Sequence, residues 1–360
     1  MTQEKTKAVR WGILGCAGVA GAVIVPGIRL SRNGVAAAVA SRTMEKARVF
    51  AEKFEIPVAY GSYQELLSDP SIEAVYIPLP NSLHKEWTIR AAESSKHVLC
   101  EKPLASNAGE AQEMVDACAS HGVMLMEAFA HRFHPHNVLA RKLVDEGRIG
   151  RVLGYTAVHS SARPASENIR LSKQLGGGVL EDKGCYCLDT ARFILGTEPV
   201  SVFAAVKFGE SGVDERVTAL LEFPNDAKAY FDTSFLLGEG TYQQGYEVLG
   251  ESGRIVAPFG FTQVDTYRRG EIIDTRVYIT DKSNHVEVID FKGVHQWQLE
   301  VEYFADRILS HEQISFPAED GLLNMRVMDA IYRSAREVRA VPVDTSRAPV
   351  ASRSTARASR

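Results

Sequence analysis

The sequence predicts an α/β domain built on a parallel sheet, followed by an α+β domain with a large, open-faced, mostly antiparallel sheet. Up to residue 130, short apolar runs alternate with helical patterns, which is typical of parallel βαβ units. From about Gly150 the pattern changes to strand runs separated by turn residues, which indicates antiparallel pairing. We therefore predict domains at 1–130 and 131–344, and a disordered tail rich in Ser, Ala and Arg at 345–360.

Composition and charge exclude several classes of protein. The 360 residues are 45% hydrophobic and 24% charged, which suits two domains with full cores. A net charge of -4 provides no overall field for nucleic acid. Apolar runs fall short of the roughly 18 residues of a membrane span, and the polar start lacks a signal-peptide core. We expect a cytoplasmic protein with neither nucleic-acid nor membrane partners.

The five cysteines point to neither disulfides nor a metal site. They share no repeated spacing, and Cys185-x-Cys187 has no second pair with which to hold zinc. We expect these side chains to be small buried hydrophobic groups.

A turn of small residues after the first strand predicts a dinucleotide site. It consists of Gly15, Cys16, Ala17, Gly18, Val19 and Ala20. Such residues let a pyrophosphate approach the backbone at a helix N-terminus. Alanines stand where the second and third glycines usually fall, so a glycine-rich turn of any α/β protein is an equal alternative.

The end of the second strand indicates which dinucleotide is bound. Ser41 and Arg42 follow the apolar run 35–40, where an NAD-binding protein would have an acid for the ribose hydroxyl. A hydroxyl and a guanidinium suit the 2′-phosphate of NADPH instead. The alternative is that Ser41 only caps the next helix and that Arg42 is solvated.

Two further strand ends should lie beside the cofactor. The strand 74–77 leads to Pro80, Asn81 and His84, although His84 could equally lie on a helix surface. The run 98–100 leads to Glu101 and Lys102, where the lysine could hold a carbonyl oxygen or be an ordinary surface charge.

Together with the later segment from Gly176 to Tyr186, these motifs resemble the Gfo/Idh/MocA oxidoreductase family over roughly residues 8–340. The resemblance implies an N-terminal Rossmann domain that binds NAD(P), and a C-terminal domain with an open-faced sheet. It also implies that Lys102 sits beside the substrate and the nicotinamide, and that the protein forms homodimers or homotetramers.

Tyr186 stands where many family members have a proton-transferring histidine. This resembles the dihydrodiol dehydrogenases and the dTDP-sugar ketoreductases. Tyr186 is then the candidate acid, with Lys102 expected to lower the phenol pKa from about 10 and to stabilise the developing alkoxide. A buried packing tyrosine is the alternative.

Other residues are candidates for holding the substrate. Asp182 could accept sugar hydroxyls or cap a helix, and Asn168 and Arg170 resemble a family segment that contacts the substrate. A nucleotide would need cations and aromatic rings, for which the candidates are Arg163, Lys183, Arg254, Tyr242, Tyr246 and Trp297.

The leading hypothesis is an NADPH-dependent reductase of a keto group, most simply at C-3 of a nucleotide-linked deoxysugar. An NADP-dependent dehydrogenase of a free aldose or a dihydrodiol uses the same chemistry in reverse. A non-catalytic NADP-sensing regulator is a third hypothesis, and the presence of both Lys102 and Tyr186 argues against it.

Overall fold

The structure is a computed structural model that describes residues 7–262, 264–265 and 271–346. Most of the predicted tail, from 347 onwards, lies outside the described residues. The strands are β1 (Val9–Leu14), β2 (Gly34–Ala40), β3 (Val58–Tyr60), β4 (Ala74–Ile77), β5 (His97–Cys100), β6 (Leu125–Glu127), β7 (Val152–Ala162), β8 (Ser201–Phe208), β9 (Asp214–Glu222), β10 (Lys228–Leu237), β11 (Tyr242–Gly250), β12 (Gly253–Ala257), β13 (Val264–Asp265), β14 (Glu271–Ile272), β15 (Thr275–Asp281), β16 (Val286–Phe291) and β17 (Val341–Pro342). The α-helices are α1 (Val25–Leu30), α2 (Met44–Lys53), α3 (Tyr63–Leu67), α4 (His84–Glu93), α5 (Ala108–Ser120), α6 (Pro135–Asp145), α7 (Cys185–Leu195), α8 (Gln296–Ser310) and α9 (Ala318–Glu337).

The first sheet is parallel throughout, in the order β3-β2-β1-β4-β5-β6. All four residues of β4 are buried, because helices cover both faces of the sheet. This explains the continuous apolar runs of the sequence. The strand order reverses between β1 and β4, and ligands of such sheets bind at the carboxyl ends beside this switch point.

Within the described residues, the second sheet has nine strands in the order β16-β15-β12-β11-β7-β10-β9-β8-β17. Among the strands that the structure describes, only β7 and β10 pair in parallel within it, and the other neighbours are antiparallel. The predicted combination of a parallel N-terminal sheet and a mostly antiparallel C-terminal sheet is thus confirmed. One face of the second sheet packs on helices, and α7 lies against β7.

Helix α8 lies far along the chain but packs on the first domain. Its residues Val301 and Phe304 join a buried cluster with Trp11 and Ile13 of β1, and the rings of Trp11 and Phe304 are 5.9 Å apart. The division at residue 130 therefore leaves out a helix that completes the core of the parallel sheet. We propose instead a domain boundary between Glu127 and Val152, with α8 added to the first domain.

The cysteines are all free thiols. Four are buried, and Cys16 in the glycine-rich turn is only partly so. None of the helices among the described residues combines the length and apolarity that crossing a bilayer requires.

Candidate active site

A cavity of about 960 Å³ opens where the carboxyl ends of the parallel strands face the second sheet. The turn residues Ala17, Gly18 and Val19 line one end of it. Lys102 reaches it from the first domain, and Tyr186 reaches it from the start of α7 in the second. The fold therefore brings the predicted cofactor turn and the two predicted catalytic residues to one space.

The glycine-rich turn fits a pyrophosphate. Gly15 has a positive φ of 124°, and a Cβ there would lie 3.0 Å from Leu79 Cδ2. A Cβ on Gly18 would meet no atom within 4 Å, so the backbone faces open space at the start of the helical segment. Gly15, Cys16 and Ala20 are in the turn but do not line the cavity, and Ala20 is fully buried.

At the end of β2, Ser41 and Arg42 have different environments. Ser41 is buried with its hydroxyl beside the Cys16 thiol, whereas the Arg42 side chain is exposed. Thr43, not Ser41, caps α2 by accepting the Lys46 amide. Ser41 therefore does not cap α2, and Arg42 remains accessible to a phosphate.

The loop after β4 holds the two domains together. Asn81 lines the cavity and donates a 2.7 Å hydrogen bond to the Gly176 carbonyl of the second domain. Its neighbour Pro80 is partly buried and does not line the cavity.

His84 does not contact the cavity, which corrects its assignment to the cofactor site. The ring is fully buried, and its two nitrogens lie 2.9 Å from the carbonyl oxygens of Leu79 and Pro103. Burial lowers its pKa. His84 therefore ties the loop after β4 to the segment that follows Lys102.

The Lys102 ammonium is held in place by the second domain. Its Nζ donates to the Asp182 carbonyl at 2.8 Å and lies 3.6 Å from the Asp182 carboxylate. Behind it, Tyr76 donates a 2.5 Å hydrogen bond to Glu101, and burial raises the pKa of Glu101. Lys102 therefore points into the cavity from a fixed position.

Tyr186 lies under Lys102 with the ammonium over its ring face, 4.8 Å from the ring centroid. The rings of Phe129, His131 and His159 surround it, with centroids 5.3 to 5.5 Å away. Burial raises the pKa of Tyr186 well above its ordinary value, and Glu101 raises it further. The net shift is upward, which corrects the expectation of a lowered phenol pKa, because burial dominates and acidic neighbours add to it.

Asp182 joins three cations at one cavity wall. Its Oδ1 is 2.7 Å from Arg170 Nε, and its Oδ2 is 3.8 Å from Lys183 Nζ. Burial opposes ionisation, but Arg170, Lys102 and Lys183 outweigh it and hold the Asp182 pKa well below its usual range. Asn168 also lines the cavity, and its Oδ1 accepts the Arg170 amide.

The structure separates the candidates for holding a nucleotide. Those that line the cavity are Arg163, Lys183, Tyr242 and Trp297. Arg254 instead lies on β12 with its side chain exposed and paired with Glu247, and Tyr246 is buried and donates to Asn137. Arg254 and Tyr246 therefore do not line the cavity, which corrects their selection as candidates for holding a nucleotide.

Sequence reasoning missed His159, which lines the cavity beside Tyr186. It shares the buried face of β7 with Tyr155 and Ala157, and its Nε2 lies 2.7 Å from the Tyr242 hydroxyl. Alternation along β7 could have identified it as an inward-pointing polar residue. Glu181 also lines the cavity and was missed. Its carboxylate accepts hydrogen bonds from the Tyr332 hydroxyl of α9, a contact between segments far apart in sequence that local patterns do not reveal.

A Rossmann sheet, a phosphate turn and a lysine–tyrosine pair define an NAD(P)-dependent oxidoreductase. Residues 9–129 match the family described as "Oxidoreductase family, NAD-binding Rossmann fold", and residues 138–256 match the "GFO/IDH/MocA C-terminal domain". The chain therefore belongs to the Gfo/Idh/MocA family of oxidoreductases, as the motifs predicted, and it is an enzyme of that family that binds a nicotinamide dinucleotide.

Three proteins similar to this chain illustrate which activities its relatives have. D-xylose 1-dehydrogenase (NADP(+)) 2 of Haloferax volcanii is 39% identical over 93% of this chain and 99% of its own. The aldose-aldose oxidoreductase of Caulobacter crescentus, solved with glycerol, has a TM-score of 0.85 at 29% identity, covering 94% of this chain and 100% of its own. A 3-ketoreductase of Actinomadura kijaniata, solved with NADP and TDP-benzene, has a TM-score of 0.83 at 29% identity, covering 91% and 98%. Sugar oxidoreductases are thus the common class.

Proposed function

We propose that this enzyme is an NADPH-dependent ketoreductase that reduces a keto group, at C-3, of a nucleotide-linked deoxysugar. The observation that carries the proposal is the meeting of Lys102 and Tyr186 from separate domains in one cavity beside the phosphate turn. The nucleotide part is supported by the cations and aromatic side chains that line the same cavity, and by the likeness to a 3-ketoreductase solved with TDP-benzene.

The preference for NADPH rests on Arg42 and on the missing acid at the end of β2, since Ser41 is buried against Cys16. The chain has no acid at the end of β2, where one would bind the ribose hydroxyls of NADH and repel a 2′-phosphate. The exposed Arg42 guanidinium is free to pair with that phosphate. Two of the relatives above carry NADP in their names or were solved with it, which agrees with this assignment.

The proposed chemistry needs a proton and a stabilised oxygen. The bound cofactor supplies a hydride to the keto carbon. Tyr186 then donates its phenolic proton to the former carbonyl oxygen, while the Lys102 ammonium stabilises the negative charge that develops there. Asp182 orients Lys102 through its carbonyl and balances the charge through its carboxylate.

The raised Tyr186 pKa keeps the phenol protonated in the free enzyme, which is the form that a general acid requires. A phenol with a high pKa is protonated at neutral pH and is ready to act as an acid. The oxidation of an alcohol would start from the phenolate, which burial disfavours. Reduction can therefore begin from the protonation state that the free enzyme already holds.

The second candidate function is an NADP-dependent dehydrogenase of a free aldose, favoured by the 39% identity to the xylose dehydrogenase. Steady-state assays with NADPH and 3-keto nucleotide sugars, and with NADP and D-xylose, D-glucose or a dihydrodiol, decide between the two. The ketoreductase should show the highest kcat/KM for the nucleotide sugar. Strong activity on aldoses alone would refute it.

We also propose that the enzyme forms homo-oligomers through the open face of the second sheet. Phe203, Leu220 and Tyr230 are direct cross-strand neighbours on β8, β9 and β10, and each is more than 40% exposed. Contiguous exposed apolar side chains mark interaction sites. Light scattering should give a multimer that Tyr230→Lys weakens, and a monomeric wild type would contradict the proposal.

A further inference from the structure

Lys183 is a second buried ammonium in the cavity, and the chemistry above does not use it. It belongs to the π-helical turn Leu180–Gly184, and its side chain is 11% exposed. The Nζ lies 4.9 Å from the Tyr242 ring centroid and 3.8 Å from Asp182 Oδ2, which is beyond hydrogen-bond distance. No residue in the described part of the chain accepts a hydrogen bond from this ammonium.

The local charges do not balance. Asp182 faces Lys102, Arg170 and Lys183, so one carboxylate serves three cations. Arg170 and Lys102 both lie nearest its Oδ1, which leaves Lys183 the weaker contact at Oδ2.

Nearby carboxyl groups compensate little for this excess. Glu101 accepts from Tyr76 and from the Lys102 amide, and burial raises its pKa. Glu181 turns away to the Tyr332 hydroxyl, and burial, with Asp214 close by, raises its pKa well above the usual value. Both carboxyl groups are thereby biased toward the neutral form and offset little of the positive charge. Burial, together with the cations of Lys102 and Arg170, lowers the Lys183 pKa despite Asp182, and an anion beside the ammonium would favour its charged form.

A desolvated ammonium without acceptors is costly, and a bound anionic oxygen removes that cost. We propose that Lys183 recognises an anionic group of the substrate, a phosphate or a carboxylate, placed within one sugar ring of the reacting oxygen. Lys102 and Lys183 lie within 3.8 Å of the same carboxylate, which fixes this short separation. The inference rests on the proposed function, since the anomeric phosphate of a nucleotide sugar is two ring carbons from C-3.

The test measures how strongly the enzyme prefers anionic sugars over a neutral one. With NADP as oxidant, kcat/KM is measured for dTDP-α-D-glucose, α-D-glucose 1-phosphate and D-glucuronate, and for neutral methyl α-D-glucopyranoside. The Lys183→Met enzyme should lower the anionic-to-neutral ratio on the order of thirtyfold, as expected when one partner of a buried charge pair is removed. An equal loss on charged and neutral sugars would overturn the proposal.

Two control variants separate charge from structure. Lys183→Arg keeps the positive charge and should retain most of the anionic preference. Lys142→Met removes a charge from a side chain that is 66% exposed on α6 and should leave the ratio unaltered. If Lys183→Met fails to fold, loss of the preference in Lys183→Arg at normal thermal stability would also overturn the proposal.

The panel also separates this inference from the proposed function. A Lys183-dependent preference for glucuronate but not for phosphates would identify a carboxylate substrate, so the inference would stand and the nucleotide-sugar proposal would fail. If the enzyme turns over none of these sugars, calorimetric titration of glucose 1-phosphate into the NADP complex still tests Lys183. Wild-type binding that Lys183→Met abolishes supports the inference, and equal or absent binding in both overturns it.

Discussion

Tyr186 is the residue on which the proposed chemistry depends most directly. Its ring packs among Phe129, His131 and His159, so removing only the hydroxyl should leave the packing intact. We expect Tyr186→Phe to lower kcat by a factor of about 100 or more, since general acids contribute that much, with little change in NADPH affinity. Steady-state kinetics and fluorescence titration with NADPH measure the two effects, and near-normal turnover would refute the role of acid.

Arg42 should decide between the two nicotinamide cofactors. Arg42→Ala removes a charge-assisted contact to the 2′-phosphate, so NADPH should bind at least about tenfold more weakly while NADH binding changes little. The measurement is the dissociation constant of each cofactor for both proteins. Arg48→Ala, a neighbouring arginine exposed on α2, serves as the matched control. Equal losses for NADPH and NADH would contradict a phosphate contact.

At the scale of single elements, the sequence was informative where periodicity was strong. The apolar runs located β1, β2, β4 and β5, and the turn residues separated most strands of the second sheet. It missed β15 and β16 at the sheet edge. Burial alternates along β15, so the strand pattern was present there, whereas every β16 side chain is partly or fully exposed. Helix α5 is capped by Asn107, which accepts the Glu110 amide, although the adjacent Ser106 is an equally common capping residue type.

The candidate site was predictable as a set of residues but not as a set of contacts. Lys102, Asp182 and Tyr186 follow strand ends or open a helix, which local patterns reveal. The position of the Lys102 ammonium over the Tyr186 ring, and the burial of His84 between two carbonyls, depend on how distant segments pack. That information is not present in local periodicity.

The turn before α7 depends on Gly178. Its φ is +143°, and a Cβ would lie 2.1 Å from Asp214 Oδ1 and 2.3 Å from Glu181 Oε2. Gly178→Ala should therefore destabilise the fold by about 2 kcal/mol or more, through backbone strain and steric clash. Gly122→Ala is the matched control, because φ is +66° there but a Cβ meets nothing within 4 Å. Urea unfolding of both variants measures the difference, and equal losses would mean that the clash is relieved.

At the scale of the whole molecule, a buried ion network joins the segment after β6 to α7 and α9. Arg132 donates to Asp189 at 3.0 Å and also contacts Asp320, and Arg192 donates to Asp320 at 3.1 Å. The arginines hold the pKa of Asp320 below its ordinary value despite burial. Removing one partner of such a network would leave a buried charge uncompensated.

Glu127 lies beside this network and should make stability depend on pH. Its Oε1 accepts the Leu104 amide at 2.8 Å, whereas Oε2 has no hydrogen-bond partner among residues 7–262, 264–265 and 271–346. Burial, with Asp189 close by, raises its pKa from 4.5 to about 8. The folded state therefore holds a proton that the unfolded state releases, so stability is lost as pH rises from 4.5 to about 8.

Glu127→Gln should remove this dependence. Relative to the variant, the wild type should lose a few kcal/mol of unfolding free energy across that interval, and the difference should level off above it. Urea unfolding at a series of pH values measures the effect. A difference that stays constant with pH would show that Glu127 titrates normally in the folded protein.

Lys102 of the first domain pairs with Asp182 of the second, so the cavity is built from both domains. The cofactor end of the cavity is built by the first sheet, whereas His159, Lys183 and Tyr242 come from the second sheet and the turn beside it. Substrate choice can therefore change without rebuilding the cofactor end. A combinatorial library at those three positions should yield enzymes for different sugars that share one nicotinamide preference.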